Sequence, residues 1–212
     1  CSCPIEDLEK TIETISYRFL KNLGGEEVYT PESVVSREEP SYVGTPITKL
    51  RSYYRNLSVS EVHSMPNISI RKKNEWGFFG HSTIKHDYSL KTIKGDKVVV
   101  DNATGLMWHQ SGSGHMDWNK AKDWVRSLNS SGYAGHHDWR LPTVEEAASL
   151  LESSNSNGQY IDPVFSKKQE WIWTGDSKDG SEAAWDVSFY LGIVRWDDVY
   201  YSFYVRPVRS VE

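Results

Sequence analysis

The stretch GHHDWRLPTVEEAASLLE, residues 135–152, gathers His136, His137, Asp138 and Glu145 within ten residues. Histidines beside carboxylates can act as general bases or hold a metal ion. A hydrolytic metal site, however, needs two or three ligands that converge and leave one position open. His136, His137 and Asp138 are consecutive, so an extended or turning backbone points them apart, and no H-E-x-x-H pair occurs elsewhere in the chain. No nucleophile-elbow motif accompanies the many serines. The expectation is a protein that is not an enzyme, with no catalytic residue and no metal or cofactor beyond a doubtful calcium.

The same stretch reads more simply as a structural corner. Arg140 can donate charge-assisted hydrogen bonds to carbonyls or a carboxylate, and Leu141 packs inward. Pro142 pre-sets the turn and Thr143 caps the helix that follows, leaving Trp139 in the core. A second concentration, VRWDDVYYSFY at 194–204, places Arg195, Trp196, Asp197, Asp198, Tyr200 and Tyr201 close together. Tyr and Trp give rigid contact area at low entropic cost, and Asp and Arg orient a ligand, so these six are the expected ligand-binding residues. A strand alternates its side chains, which sends part of this set into the core. Trp196, Tyr200 and the two aspartates are expected to be exposed.

Several elements must hold these segments in place. GDKVVVDNATGLMWHQ predicts a β-hairpin, Val98–Val100 turning through Asn-Ala-Thr-Gly into Leu106–Trp108. Trp118, Ala121, Trp124, Val125 and Leu128 share one helical face, with Gly132 just past its end. Val144–Leu151 predicts a second helix with a Thr143/Glu146 capping box, and Ser58/Glu61 opens a short one before Pro66. WIWTGDS, AAWDVSFYLGIVRW and YYSFYVRPVRS read as strands. Eight of the nine tryptophans fall after residue 100, so most must be core. The expected class is α+β: two helices set in a twisted antiparallel sheet.

Charge and composition narrow the functions. The net charge is −5, from 24 Lys and Arg against 29 Asp and Glu, which argues against nucleic acid as a partner. Residues 49–97 are basic, with 10 cations against 4 acids, while residues 98–212 carry 10 against 16. No run of about 18 apolar residues predicts a membrane-spanning helix.

Both cysteines stand at positions 1 and 3, a spacing too tight for an unstrained disulfide. The opening Cys1-Ser2-Cys3 resembles a mature bacterial lipoprotein. That resemblance implies acyl chains on Cys1 as the membrane anchor, and Ser2, with no Asp after the cysteine, implies the outer membrane or cell surface. Ile5, Leu8, Ile12, Ile15 and Phe19 then form a heptad-like stripe, which packs on the protein's own core or joins a partner's helix. Residues 26–48 hold three prolines and read as an extended arm. The expected organisation is 1–25 anchor and helix, 26–48 arm, 49–95 basic lead-in packed on the domain, and 96–212 the domain itself.

ATGLMW, the W-x-x-A-x-x-W-V-x-x-L-N helix, AGHHDWRLPTVEE, YIDPVF, WIWTGDS and YVRPVRS, in this order, resemble the Lcl C-terminal domain family. The resemblance implies a fold like that of C-type lectins and formylglycine-generating enzymes, with ligands met by late loops, here 175–186 and 194–204. It does not extend to the oxidase, whose active-site cysteines this body lacks. Nor are the lectin calcium tripeptides E-P-N or Q-P-D present, although Asp176, Asp197 and Asp198 could gather oxygen ligands. Relatives that bind sulfated glycans fit poorly with a domain of net −6. Two functions follow as expectations: a lipid-anchored module that recognises a protein or glycan ligand, or a structural subunit of a homo-oligomer or envelope complex.

Overall fold

The computed structural model describes residues 46–211. Cys1, the expected N-terminal helix and most of the expected arm lie outside the described residues. Among the described residues, ten strands form two sheets. The larger has six strands: β1 (Asn56–Leu57), β2 (Ile68–Asn74), β3 (Gly77–Ser82), β7 (Trp171–Lys178), β8 (Ala183–Ser188) and β9 (Ile193–Asp198), in the order β1-β7-β8-β9-β3-β2. The smaller orders β10 (Val208–Ser210), β6 (Leu106–His109), β5 (Asp96–Asp101) and β4 (Tyr88–Ile93) as β10-β6-β5-β4. The class is α+β, mostly sheet with few helices. It differs from the expected single antiparallel sheet in two ways. The strands divide between two sheets, and β1 runs parallel to β7, pairing Asn56 with Ser177.

Local signals account for the helices. In α1 (Val59–Val62) and α3 (Val144–Ser149), the Ser58/Glu61 and Thr143/Glu146 capping boxes are both complete, so the first-turn N–H groups have partners. Asp117 caps α2 (Trp118–Ser131), and Gly132 ends it at φ +71°, a left-handed conformation that a β-carbon would disfavour. The α2 face predicted from spacing is the one that packs, with Ala121 and Val125 buried and Trp118, Trp124 and Leu128 against them.

Two apolar clusters flank the larger sheet. One gathers Trp108, Trp185, Phe78, Phe165 and Phe189 with α3. The other sets Trp139 and Trp173 against α2 and the β5–β6 hairpin. Trp108, Trp139, Trp173 and Trp185 are all fully buried, and truncating any one would cost about 3–5 kcal/mol. Residues 49–95, read from sequence as a lead-in, supply β1, β2 and β3 to the larger sheet and β4 to the smaller. They are therefore strands of the same fold, held by ladder hydrogen bonds.

Candidate functional site

The corner at 135–151 shows what its polar residues do. His137 Nδ1 lies 2.6 Å from the Asn129 carbonyl, Asp138 accepts from Arg209 at 2.7 Å, and His136 packs edge-on against Trp139. The three consecutive polar side chains thus take three separate partners. Arg140 forks onto Glu146 at 2.7 and 2.6 Å, and Glu146 also accepts from the Thr143 N–H at 2.8 Å. Glu146 is fully buried, so its carboxylate depends on this fork. Burial alone would lower the Arg140 pKa, but the Glu146 contact outweighs it and raises it. Trp139, Pro142 and Thr143 are buried around the turn.

A second buried ion pair locks the lead-in to this corner. Asp176 on β7 accepts from both terminal nitrogens of Arg51, at 2.9 and 2.8 Å, from the Arg55 N–H at 2.6 Å and from the Val144 N–H at 2.7 Å. Glu145 accepts from Arg51 Nε at 3.2 Å. Burial again works against the Arg51 guanidinium, and Asp176, then Glu145, overcome it and raise its pKa. Asp176 is therefore committed here and does not join Asp197 and Asp198 in an oxygen-ligand site. Among the described residues, no three His, Cys, Asp or Glu side chains are placed to share a metal ion.

One arrangement outlines a catalytic triad. Ser82 Oγ lies 3.4 Å from His86 Nε2, and His86 Nδ1 lies 2.7 Å from Asp101. The same Nε2 is 2.7 Å from the Ser149 carbonyl, which can only accept, so this nitrogen carries a proton and cannot take one from Ser82. The cluster is a structural tie between β3, β5 and α3. Hydrogen bonds from His86 and Thr104 hold the Asp101 carboxyl below its usual range, although burial opposes them.

The late strands form the candidate site. The β8–β9 register sets Trp185 opposite Trp196 and Asp186 opposite Arg195, and alternation divides these pairs between the two faces. Trp196, expected to be exposed, is instead half-buried against the first core, because the strand turns it to the Trp185 face. On the other face Arg195 pairs with Asp197 and approaches Asp186, whose Oδ1 lies 3.7 Å from Nε. Asp197, also expected to be exposed, is half-buried. Asp186 is wholly buried, and both its oxygens lack a hydrogen-bond partner. Burial, then the neighbouring Asp197 charge, pushes its carboxyl well above the usual range. The Arg195 guanidinium lies over Trp171 at 4.3 Å, and Trp171, Phe203 and Tyr201 continue as near-parallel rings at 5.6 and 6.3 Å.

Beyond β9, the Asp198 side chain accepts from the Tyr200 N–H at 3.0 Å and its carbonyl accepts from the Tyr201 N–H at 3.0 Å. This short polar turn presents Tyr200 and Tyr201 to solvent at 74% and 58% exposure. Tyr200 lines an open cleft of about 290 Å³ with Trp118, Asn119, Ser177 and Glu182. The Trp118 ring is fixed there by its Nε1–H, which donates to the Thr174 carbonyl at 2.7 Å. Of the six residues expected at the site, Tyr200, Tyr201 and Asp198 form one exposed turn, Arg195 and Asp197 form the ion pair behind it, and Trp196 faces away. Trp118 and Trp171 were missed, while Glu182, Asp186 and Phe203 lie within the expected stretches 175–186 and 194–204 but were not singled out. Asp186 carried a further signal, through the matching alternation of AAWDV and VRWDD.

Fold and site together define a small α+β domain whose last strands and turn carry an aromatic, acidic edge. The chain belongs to the Lcl C-terminal domain family, whose model matches residues 97–209. It finds no match among curated proteins.

Proposed function

We infer that this chain is a non-enzymatic binding protein of C-type-lectin-like fold. Its late aromatic edge recognises a protein or glycan ligand, and acyl chains on Cys1 hold it at the outer membrane or cell surface. The observation that carries the reading is the Asp198 turn, which holds Tyr200 and Tyr201 outward beside a cleft walled by Trp118. Exposed aromatics fixed by backbone contacts lose little entropy on binding, which suits them to recognition.

The test compares the wild-type chain with Tyr200→Ala/Tyr201→Ala on arrays of glycans and candidate surface proteins. Both positions are exposed, so thermal stability should change little, within about 0.5 kcal/mol. Loss of capture at unchanged assembly state supports the reading, and an unchanged capture profile overturns it. A change of assembly state would instead favour a structural subunit. No helix among the described residues is long and apolar enough to cross a membrane, and intact mass of the native protein tests the acyl anchor separately.

A further inference from the structure

We propose that the Trp118–Tyr200 cleft takes a cationic side chain, a lysine or arginine presented by a basic peptide segment of a partner protein. The proposal rests on the binding reading above and names the ligand chemistry of the same edge. The cleft has aromatic walls, Trp118 and Tyr200, and one carboxylate, Glu182, in its lining. Asp179 follows β7, which ends beside the cleft, and Asp198 holds the Tyr200 turn. Among the described residues, none of Asp179, Glu182 and Asp198 forms an ion pair.

These features together specify charge sign. An aromatic face attracts a cation through its quadrupole, and a nearby carboxylate adds charge to that attraction. One face of the Trp118 ring is already taken by the Lys122 ammonium, 3.0 Å from its centroid, which leaves the other face for a ligand cation. Lys120, next to Asn119, is paired with Asp117, and Lys178, next to Ser177, is turned toward the Asp179 carbonyl and the Trp196 ring. An anionic ligand would meet the like charge of Glu182. A neutral sugar would use the aromatic walls and leave the carboxylate without its strongest partner.

The experiment uses the full chain with fluorescein-labelled hexalysine, followed by fluorescence anisotropy at 150 mM salt. Hexaglutamate and chitotriose serve as anionic and neutral probes. Glu182→Gln and Tyr200→Ala are each expected to weaken hexalysine binding about tenfold, the loss of one charge-assisted or cation–π contact. Glu170→Gln, which removes an exposed charge on the loop before β7, should change it less than about twofold. Equal effects of Glu182→Gln and Glu170→Gln would overturn the proposal, because the attraction would then be to net charge alone. Chitotriose binding that is lost in Tyr200→Ala but indifferent to Glu182→Gln would overturn the cation and leave the binding edge standing. If both probes bind undiminished to both cleft variants, the edge itself is wrong.

Discussion

Replacing Asp176 by Asn should unlock the N-terminal part of the fold from the corner that caps α3. The wild-type carboxylate is fully buried and accepts four hydrogen bonds, two from Arg51 and one each from the Arg55 and Val144 amides. An amide offers one acceptor oxygen and turns its own N–H groups toward donors, so part of this set is lost. The Arg51 side chain, 8% exposed, keeps its charge with only the partly buried Glu145 to balance it. Breaking a buried pair from one side costs about 3–5 kcal/mol, a large share of the roughly 5–15 kcal/mol that keeps a domain folded. For a domain of this size the melting temperature should fall by on the order of 10 °C. Urea unfolding followed by tryptophan fluorescence gives the free energy directly. The paired variant Arg51→Met/Asp176→Asn should be less destabilised than Asp176→Asn, since no buried cation is then stranded and the Asn oxygen still serves the Arg55 and Val144 amides. A loss below about 1 kcal/mol for Asp176→Asn, or a paired variant that loses more, would refute the argument.

Arg140→Ala should cost about 3–5 kcal/mol by stranding buried Glu146, and thermal unfolding should show the drop. An unchanged melting temperature with lost ligand capture would instead make Arg140 a binding residue. Gly175→Ala should cost about 1–3 kcal/mol, because its β-carbon would sit 2.1 Å from the Tyr54 ring, and Tyr54→Ala should largely relieve that penalty in the double variant. Asp186→Asn should be neutral or stabilising near pH 7. A folded-state pKa raised above the unfolded value of about 3.9 gives stability that is full below pH 4 and lost as pH rises through the folded pKa. The variant's advantage should therefore grow from pH 4 to 8 in urea titrations, and a difference independent of pH would contradict the buried, unpartnered carboxyl.

Sequence revealed what is local. The capping boxes at Ser58 and Thr143, the Gly132 terminus and the α2 stripe each rest on residues within one or two turns of each other. The Arg140–Glu146 contact lies within the same local reach, since the two residues are six apart. The exposure of Tyr200 and Asp198 followed from residue type, but the turn did not, because YYSFYVRPVRS reads as a strand and only Val208–Ser210 forms one. The face of Trp196 did not follow either, because it depends on the phase of β9 against β8, and a one-residue change of phase exchanges the faces. Arg51 and Asp176 are 125 residues apart, and nothing in the local pattern of either marks the other.

That long-range pair also sets where the domain begins. The family match starts at Lys97, inside β5, yet the buried carboxylate of Asp176 takes its countercharge from Arg51 and one of its amide donors from Arg55. The smaller sheet takes β4, and the larger sheet takes β1, β2 and β3, from ahead of the match. A segment cut at 97 would strand Asp176 as a buried, unpaired charge and leave β5, β7 and β9 as open edges. The physical unit is thus longer than the matched one. The basic lead-in is part of what holds β7 in place, and β7 in turn carries Ser177 to the cleft beside Tyr200. A substitution at Arg51 should therefore be read first as a change of scaffold, and only then as a change at the binding edge.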